Sequence, residues 1–178
     1  GNCSFDTCDS LKNIIIPDSV ISIGDNAFYH CSSLESVDIG RYVQSIEYTM
    51  FSGCTNLLNI TINPDNPVYS SLDGVLFNKD RSHLIVCPAG RKGEYVLPNE
   101  VNIIEDYAFS DCSDLTSITI PGSIVFIGDY TFNFCGSLTN VYYQGDVPAI
   151  MFEYHDYSSS CIYYDTSESL ISYYPLEN

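Results

Sequence analysis

Lysine and arginine are scarce in this chain. Its 178 residues hold six of them against 23 aspartates and glutamates, for a net charge of −17. From Gly93 to Asn178 neither basic residue occurs, while thirteen acids do. That half would repel a phosphate backbone, so nucleic acid and anionic membrane are set aside as partners. No stretch approaches about 18 consecutive apolar residues, and no charged segment with an apolar core opens the chain. The sequence therefore reads as holding neither a membrane span nor a signal peptide. There is no C-x-x-C pair, and no histidine recurs with the cysteines, which sets aside a metal site. Histidine occurs three times. His30, His83 and His155 have no cysteine or serine nucleophile at a recognisable spacing, and His30 beside Cys31 reads as a half-exposed turn residue.

The stretch "NPDNPVYSSLDG" is acidic but misses the D-x-[DN]-x-[DN]-G spacing of a calcium loop, so it reads as an ordinary loop. Asp38 and Glu94 fall at outward strand positions. About two rungs, roughly 10 to 15 Å, should separate them at the usual stacking distance, which is wide for a pair of glycosidase carboxylates. Asn59-Ile60-Thr61 matches only the three-residue glycosylation signal. The chain is thus expected to be no enzyme and to carry no cofactor.

What the sequence has in quantity is repetition. "FSGCTNLLNITI" at residues 51–62 returns as "FSDCSDLTSITI" at residues 109–120. Phe5, Phe28, Phe51, Phe109 and Phe132 each have a cysteine three positions later (Cys8, Cys31, Cys54, Cys112, Cys135) and a leucine six positions later (Leu11, Leu34, Leu57, Leu115, Leu138). Three of the four steps between these phenylalanines are 23 residues, a period that marks a solenoid in the leucine-rich-repeat range. In Leu115-x-x-Ile118-x-Ile120 the strand period of two sends Ile118 and Ile120 inward and Ser117 and Thr119 outward. Pro17 and Pro121 end their strands, and Gly24 and Gly128 are expected to allow a tight bend. One coil cannot bury its apolar residues alone; stacked coils bury them as continuous columns. The five repeated cysteines are then buried free thiols rather than a disulfide framework, with Cys3 the most exposed of the eight.

The pattern Ile-Pro-x-Ser-Val-x-x-Ile-Gly-x-x-Ala-Phe-x-x-Cys-x-x-Leu-x-x-Val-x-Ile stands almost whole at residues 16–39. It resembles the BspA-like leucine-rich repeat proteins, found on bacterial and some protist surfaces, over residues 1 to about 145. The expected fold is mostly β: a right-handed leucine-rich-repeat solenoid with a parallel sheet on its concave face. The step from Phe51 to Phe109 is 58 residues. It places a long irregular rung at about 63–98, with an inserted hairpin pairing Val75–Phe77 and Leu84–Val86 around Asn78–Arg81. Residues 146–178 lose the period. They read as an atypical C-terminal cap-like segment: a strand at Ile162–Tyr164, then a short helix capped near Thr166 or Ser167. The family's closing segment usually carries Trp; this chain has none. The 178 residues form one expected domain, cut from a longer array.

The resemblance implies a non-catalytic module for protein–protein contact on a secreted or cell-surface protein, typically adhesion to a host, neighbouring-cell or matrix protein, with a monomer the expected state. A passive stalk in a larger surface protein, or a β-solenoid that binds or acts on glycans, are the alternatives. Parity places the candidate contact residues on the outward face of the C-terminal strands. Asn140, Tyr142, Thr119 and Ser117 belong there, with Tyr163 in the terminal strand a candidate neighbour of Tyr142. Exposed tyrosines combine apolar area with a hydroxyl, which suits an interface.

Overall fold

Each phenylalanine of the series sits at the centre of a turn that hands the same hydrogen bonds from rung to rung. In the computed structural model, which describes residues 1–144, 160–163 and 170–175, the Phe5 N–H donates to Ala27 O at 2.8 Å, Phe28 to Met50 at 2.9 Å and Phe109 to Thr131 at 2.9 Å. The residues two before and two after the phenylalanine both take positive φ at every turn of the series but that of Phe51, where Tyr48–Phe51 forms a 3-10 helix. Tyr107 (57°) and Asp111 (65°) flank Phe109, and Tyr130 (54°) and Phe134 (59°) flank Phe132. Side chains other than glycine rarely adopt this region. The ladder offsets its cost, because Tyr107 and Asp111 also donate to the next rung, to Asp129 O and Asn133 O.

The strands follow in a regular order. The first three rungs supply β1 (Asn13–Ile16), β2 (Ser22–Ile23), β3 (Ser36–Ile39), β4 (Ser45–Ile46) and β5 (Asn59–Ile62). A long rung contributes β6 (Tyr69–Leu72), β7 (Val75–Asn78) and β8 (His83–Val86). The later rungs are β9 (Gly93–Val96), β10 (Ile103–Ile104), β11 (Leu115–Pro121), β12 (Phe126–Ile127) and β13 (Asn140–Gln144), after which come β14 (Ser160–Tyr163) and β15 (Leu170–Pro175). Strands β1, β3 and β5 pair in parallel, as do β9, β11 and β13, each in repeat register, for example Ile16 with Ile39 and Ile118 with Val141. The chain is a mostly β solenoid of about six turns built from parallel strands, as the period requires.

Inward residues form stacked columns. Phe28 lies 5.2 Å from Phe5 and 5.5 Å from Phe51, and Phe109 lies 5.4 Å from Phe132. No phenylalanine of the turn series falls between Phe51 and Phe109, and there Tyr95 of β9 packs against Phe109, 5.8 Å away. Phe5, at the end of the stack, stays partly exposed, and Cys8 and Leu11 are only half-buried. The buried cysteines do more than pack. Three of the thiols donate to the carbonyl of the phenylalanine one rung back: Cys31 to Phe5 at 2.9 Å, Cys54 to Phe28 at 3.0 Å and Cys135 to Phe109 at 3.0 Å. Burial pushes the Cys54 and Cys135 thiols up to about 12 and also raises that of Cys31. Cys112 follows the irregular rung and finds only Pro88 O at 3.7 Å and Cys87 O at 3.9 Å. A serine hydroxyl can use a carbonyl near 3 Å but not one near 4 Å. Cys112→Ser is therefore expected to cost about 1–3 kcal/mol as a poorly satisfied buried hydroxyl, and Cys135→Ser clearly less. Paired urea melts check this; equal losses would remove the thiol ladder as the explanation. Seven cysteines are free among the described residues, Cys3 exposed among them.

The long rung contains the expected hairpin, β7 paired antiparallel with β8, and adds one strand to it. The whole is a three-stranded antiparallel meander: β6 pairs with β7 (Leu72 with Val75), and β7 pairs with β8 (Phe77 with Leu84). The turn Asp73-Gly74 adds the extra strand, and Gly74 takes φ 80° there. Strand β8 then joins β10 in parallel, so β6, β7, β8, β10 and β12 make one five-stranded sheet. The expected single parallel sheet is thereby split. The free edge of β5 meets the meander, where Ile60 N–H donates to Gly74 O at 2.9 Å, and the parallel pairing resumes only at β9. The core divides at the same place. Leu76, Ile85 and Val86 belong to the cluster of the first three rungs, whereas Val75, Phe77 and Leu84 belong to that of the later ones. Alternate side chains of one strand point to opposite faces, so β7 is a wall with a core on each side.

One buried polar residue fixes the start of this rung. Asn66 is fully buried; its amide NH2 donates to Gly40 O at 3.1 Å and Val43 O at 2.9 Å, and its Oδ1 accepts from Val68 and Tyr69 N–H, both at 2.9 Å. Two further expectations change. Gly24 and Gly128 do not take positive φ. Their role is close approach, since a Cβ on Gly128 would lie 2.4 Å from Asp106 N of the rung before. In the terminal segment the strand is Ser160–Tyr163, and Leu170–Pro175 is strand where a helix was expected. Tyrosine and isoleucine favour extended backbone, and β15 pairs antiparallel along β13, which would otherwise end in an open edge. The proposed helix cap at Thr166 or Ser167 lies outside the described residues.

Candidate functional site

Two strand positions per rung face outward, and register sets them in columns. On the C-terminal sheet Glu94, Ser117 and Asn140 form one column, and Val96, Thr119 and Tyr142 form the other. On the N-terminal sheet the columns are Asn13, Ser36, Asn59 and Ile15, Asp38, Thr61. Four of the five candidate residues thus share one face on neighbouring strands. Tyr142 is 41% exposed beside the shorter Thr119, while the next residue, Tyr143, is buried and donates its hydroxyl to Ile124 O at 3.0 Å. Ser117 has outward parity but is 8% exposed, so it borders the surface rather than offering its side chain to it. Asn140 donates to Thr139 Oγ1 at 3.0 Å, which fixes its amide along the strand end.

Tyr163 is not brought beside Tyr142. Strand β15 lies between β13 and β14, with Leu170 opposite Tyr142 and Tyr163 opposite Ser172. The antiparallel return of the chain inserts one strand where the repeat pattern would have set the next rung directly.

Among the described residues, the others singled out by sequence do not come together in one place; His155 lies outside the described residues. Asp38 on β3 and Glu94 on β9 stand in different sheets. The His30 ring lies edge-on to Tyr29 at 4.2 Å, on the outside of its turn, while the Cys31 thiol points inward to Phe5 O. His83 faces Glu105 at 2.6 Å, a half-buried pair. Among the described residues no three of His, Cys, Asp and Glu converge as metal ligands. Sequence reading missed a row of tyrosines on the repeat turns. Tyr107 and Tyr130, 23 residues apart and each two before its phenylalanine, stack with centroids 5.1 Å apart. Their equal offset was the available signal.

The comparisons with known proteins agree with this geometry. The BspA type leucine-rich repeat region matches residues 1–85 and 93–174, in six copies. Among solved structures, a leucine-rich repeat protein from Eubacterium ventriosum is 23% identical with a TM-score of 0.63, over 76% of this chain and 42% of that one. A leucine-rich cell surface protein from Faecalibacterium prausnitzii is 27% identical with a TM-score of 0.60, over 79% of this chain and 44% of its own. The pneumococcal vaccine antigen PcpA is 25% identical with a TM-score of 0.60, over 74% and 39%. The chain therefore spans under half the length of each of these proteins. No curated protein matches the sequence.

Proposed function

We propose, from the premise that the chain belongs to the BspA-type leucine-rich repeat family, that it is a non-catalytic protein-contact module of a secreted or cell-surface protein. Its task is adhesion to a host, neighbouring-cell or matrix protein. The contact surface is the outward face of β9, β11 and β13, with Tyr142 at its centre and Thr119, Asn140 and the rim residue Ser117 around it. Strand β14, which carries Tyr163, extends the same sheet. The observation that carries this reading is the exposed Tyr142 ring, standing in register with a short polar side chain. A tyrosine with open space beside it can be covered by a partner and still keep its hydroxyl hydrogen-bonded. The cell surface protein from Faecalibacterium prausnitzii supports the location by similarity. The thirteen acids after residue 92 would steer a basic partner toward this half.

Binding to a panel of purified extracellular-matrix and cell-surface proteins tests the proposal. With the ligand found, Tyr142→Ala is expected to weaken binding by at least about 1 kcal/mol, which is hot-spot behaviour, while the melting temperature stays nearly unchanged. A large loss of stability with unchanged affinity per folded molecule would make Tyr142 an end-seal of the core instead.

A further inference from the structure

The split between the two stacks leaves a cleft on the turn side of the solenoid. The rung that should follow Phe51 is the meander, so the turn at Phe51 faces the turn at Phe109 with the ladder interrupted. Asp111 bridges the gap, its carboxylate accepting Gly53 N–H at 3.0 Å. Phe51, Leu57 and Val86 line the cleft from within, Tyr48 and Tyr107 form its lips, and Asp111 closes one end. The space is small, about 20 Å³, and partly open to solvent. It therefore takes the tip of one side chain, not a small-molecule ligand.

The lips are aromatic and the surroundings acidic. Tyr107 is braced by its stack on Tyr130. Burial raises the Tyr48 phenol, and the nearby carboxylates of Glu105, Asp106 and Glu47 raise it further. No basic side chain of the protein itself neutralises this rim, because all six are committed elsewhere. Lys12, Arg41, Arg81 and Lys92 pair with Glu35, Asp65, Glu100 and Asp114. Lys79 donates to the carbonyls of Pro64 and Asn66, and Arg91 lies over the Tyr95 ring at 4.7 Å. The remaining sequence contains no Lys or Arg.

We propose that this cleft receives the guanidinium of an arginine carried on an extended basic segment of a partner protein. A guanidinium is planar, weakly hydrated and stacks on aromatic rings, whereas an ammonium is a compact, strongly hydrated charge. Glu105 is held by His83 and Asp106 gives one oxygen to the Asp129 N–H, so Glu47 and the second oxygen of Asp106 supply the matching acceptors. The site uses none of the residues of the outward sheet face, so either site can fail without the other.

The probe is a fluorescein-labelled glycine–serine peptide carrying three arginines, compared by anisotropy with the same peptide carrying citrulline. The arginine peptide is expected to bind and the citrulline peptide not. Tyr48→Leu should weaken binding about two- to fivefold, and Glu47→Gln should weaken it more than Asp38→Asn, which removes the same charge from the sheet of the first rungs, outside both sites. Equal losses from the two carboxylate variants, with Tyr48→Leu unchanged, would mean that only net charge attracts the peptide and would overturn the proposal. So would displacement by spermine at equal concentration, since that marks a point-charge site. Should Tyr48→Leu fail to fold, ring-labelled tyrosine in the unaltered chain gives the same answer by NMR. Peptide-induced shifts at Tyr48 and Tyr107 are expected, and their absence refutes the cleft.

Discussion

Replacing Phe109 with alanine is expected to cost about 3–5 kcal/mol, the range for losing a fully buried aromatic ring and leaving a cavity. Phe109 has no exposed surface and stands between Phe132 and Tyr95, so its loss leaves both neighbours without a packing partner. The effect should not spread evenly. Phe109 belongs to the core of the later rungs, and β7 separates that core from the one built on Phe28. In a repeat protein each unit is stabilised mainly by its neighbours. Hydrogen exchange at intermediate urea should therefore find the amides of Ile118 and Val141 exchanging while those of Val37 and Ile60 remain protected. A single transition in which all four amides exchange together would show that the wall at β7 couples the two cores rather than insulating them. A variant melting within a degree or two of the parent would remove the phenylalanine column from the core altogether.

Asn66→Ala is expected to cost about 2–4 kcal/mol, although the side chain removed is small and polar. Its amide satisfies four backbone groups at once, the carbonyls of Gly40 and Val43 and the N–H groups of Val68 and Tyr69. Each buried group left without a partner costs about 1–3 kcal/mol, and water entering the space recovers part of it. Asn66→Asp should be no better. It keeps the acceptor for Val68 and Tyr69 but sets a second oxygen against two carbonyl oxygens. Urea titration of both variants checks the ordering. If aspartate restored stability to the parent level, the two carbonyl contacts would carry no weight, and the link between the second rung and the start of the meander would have to lie elsewhere. Lys79 helps from outside, since it holds the Pro64 and Asn66 carbonyls, but as an exposed contact it should contribute little.

The period of 23 residues settled the rung, and the strand period of two settled which of its residues face inward. Ile118, Ile120, Val37 and Ile39 are buried as parity requires, and Asp38, Thr61 and Tyr142 are outside. These features were legible because each depends on local geometry repeated many times: a short strand, a turn, and an identical neighbour to stack on. The family could be read for the same reason. What only the tertiary structure decided lies where that repetition stops. In Val75-Leu76-Phe77 all three residues are apolar and all three are buried; a run without alternation gives no hint that it faces two cores. Asn66 reads as one more loop polar residue until the second rung brings its carbonyls to it. Leu170–Pro175 became a strand because an edge of β13 was there to pair with, and that strand separates Tyr163 from Tyr142. The Tyr48–Tyr107 cleft joins residues 59 positions apart in the chain. Such pairings are set by which edges and faces remain open after the repeats have stacked, a property of the assembled chain that no local window of sequence contains.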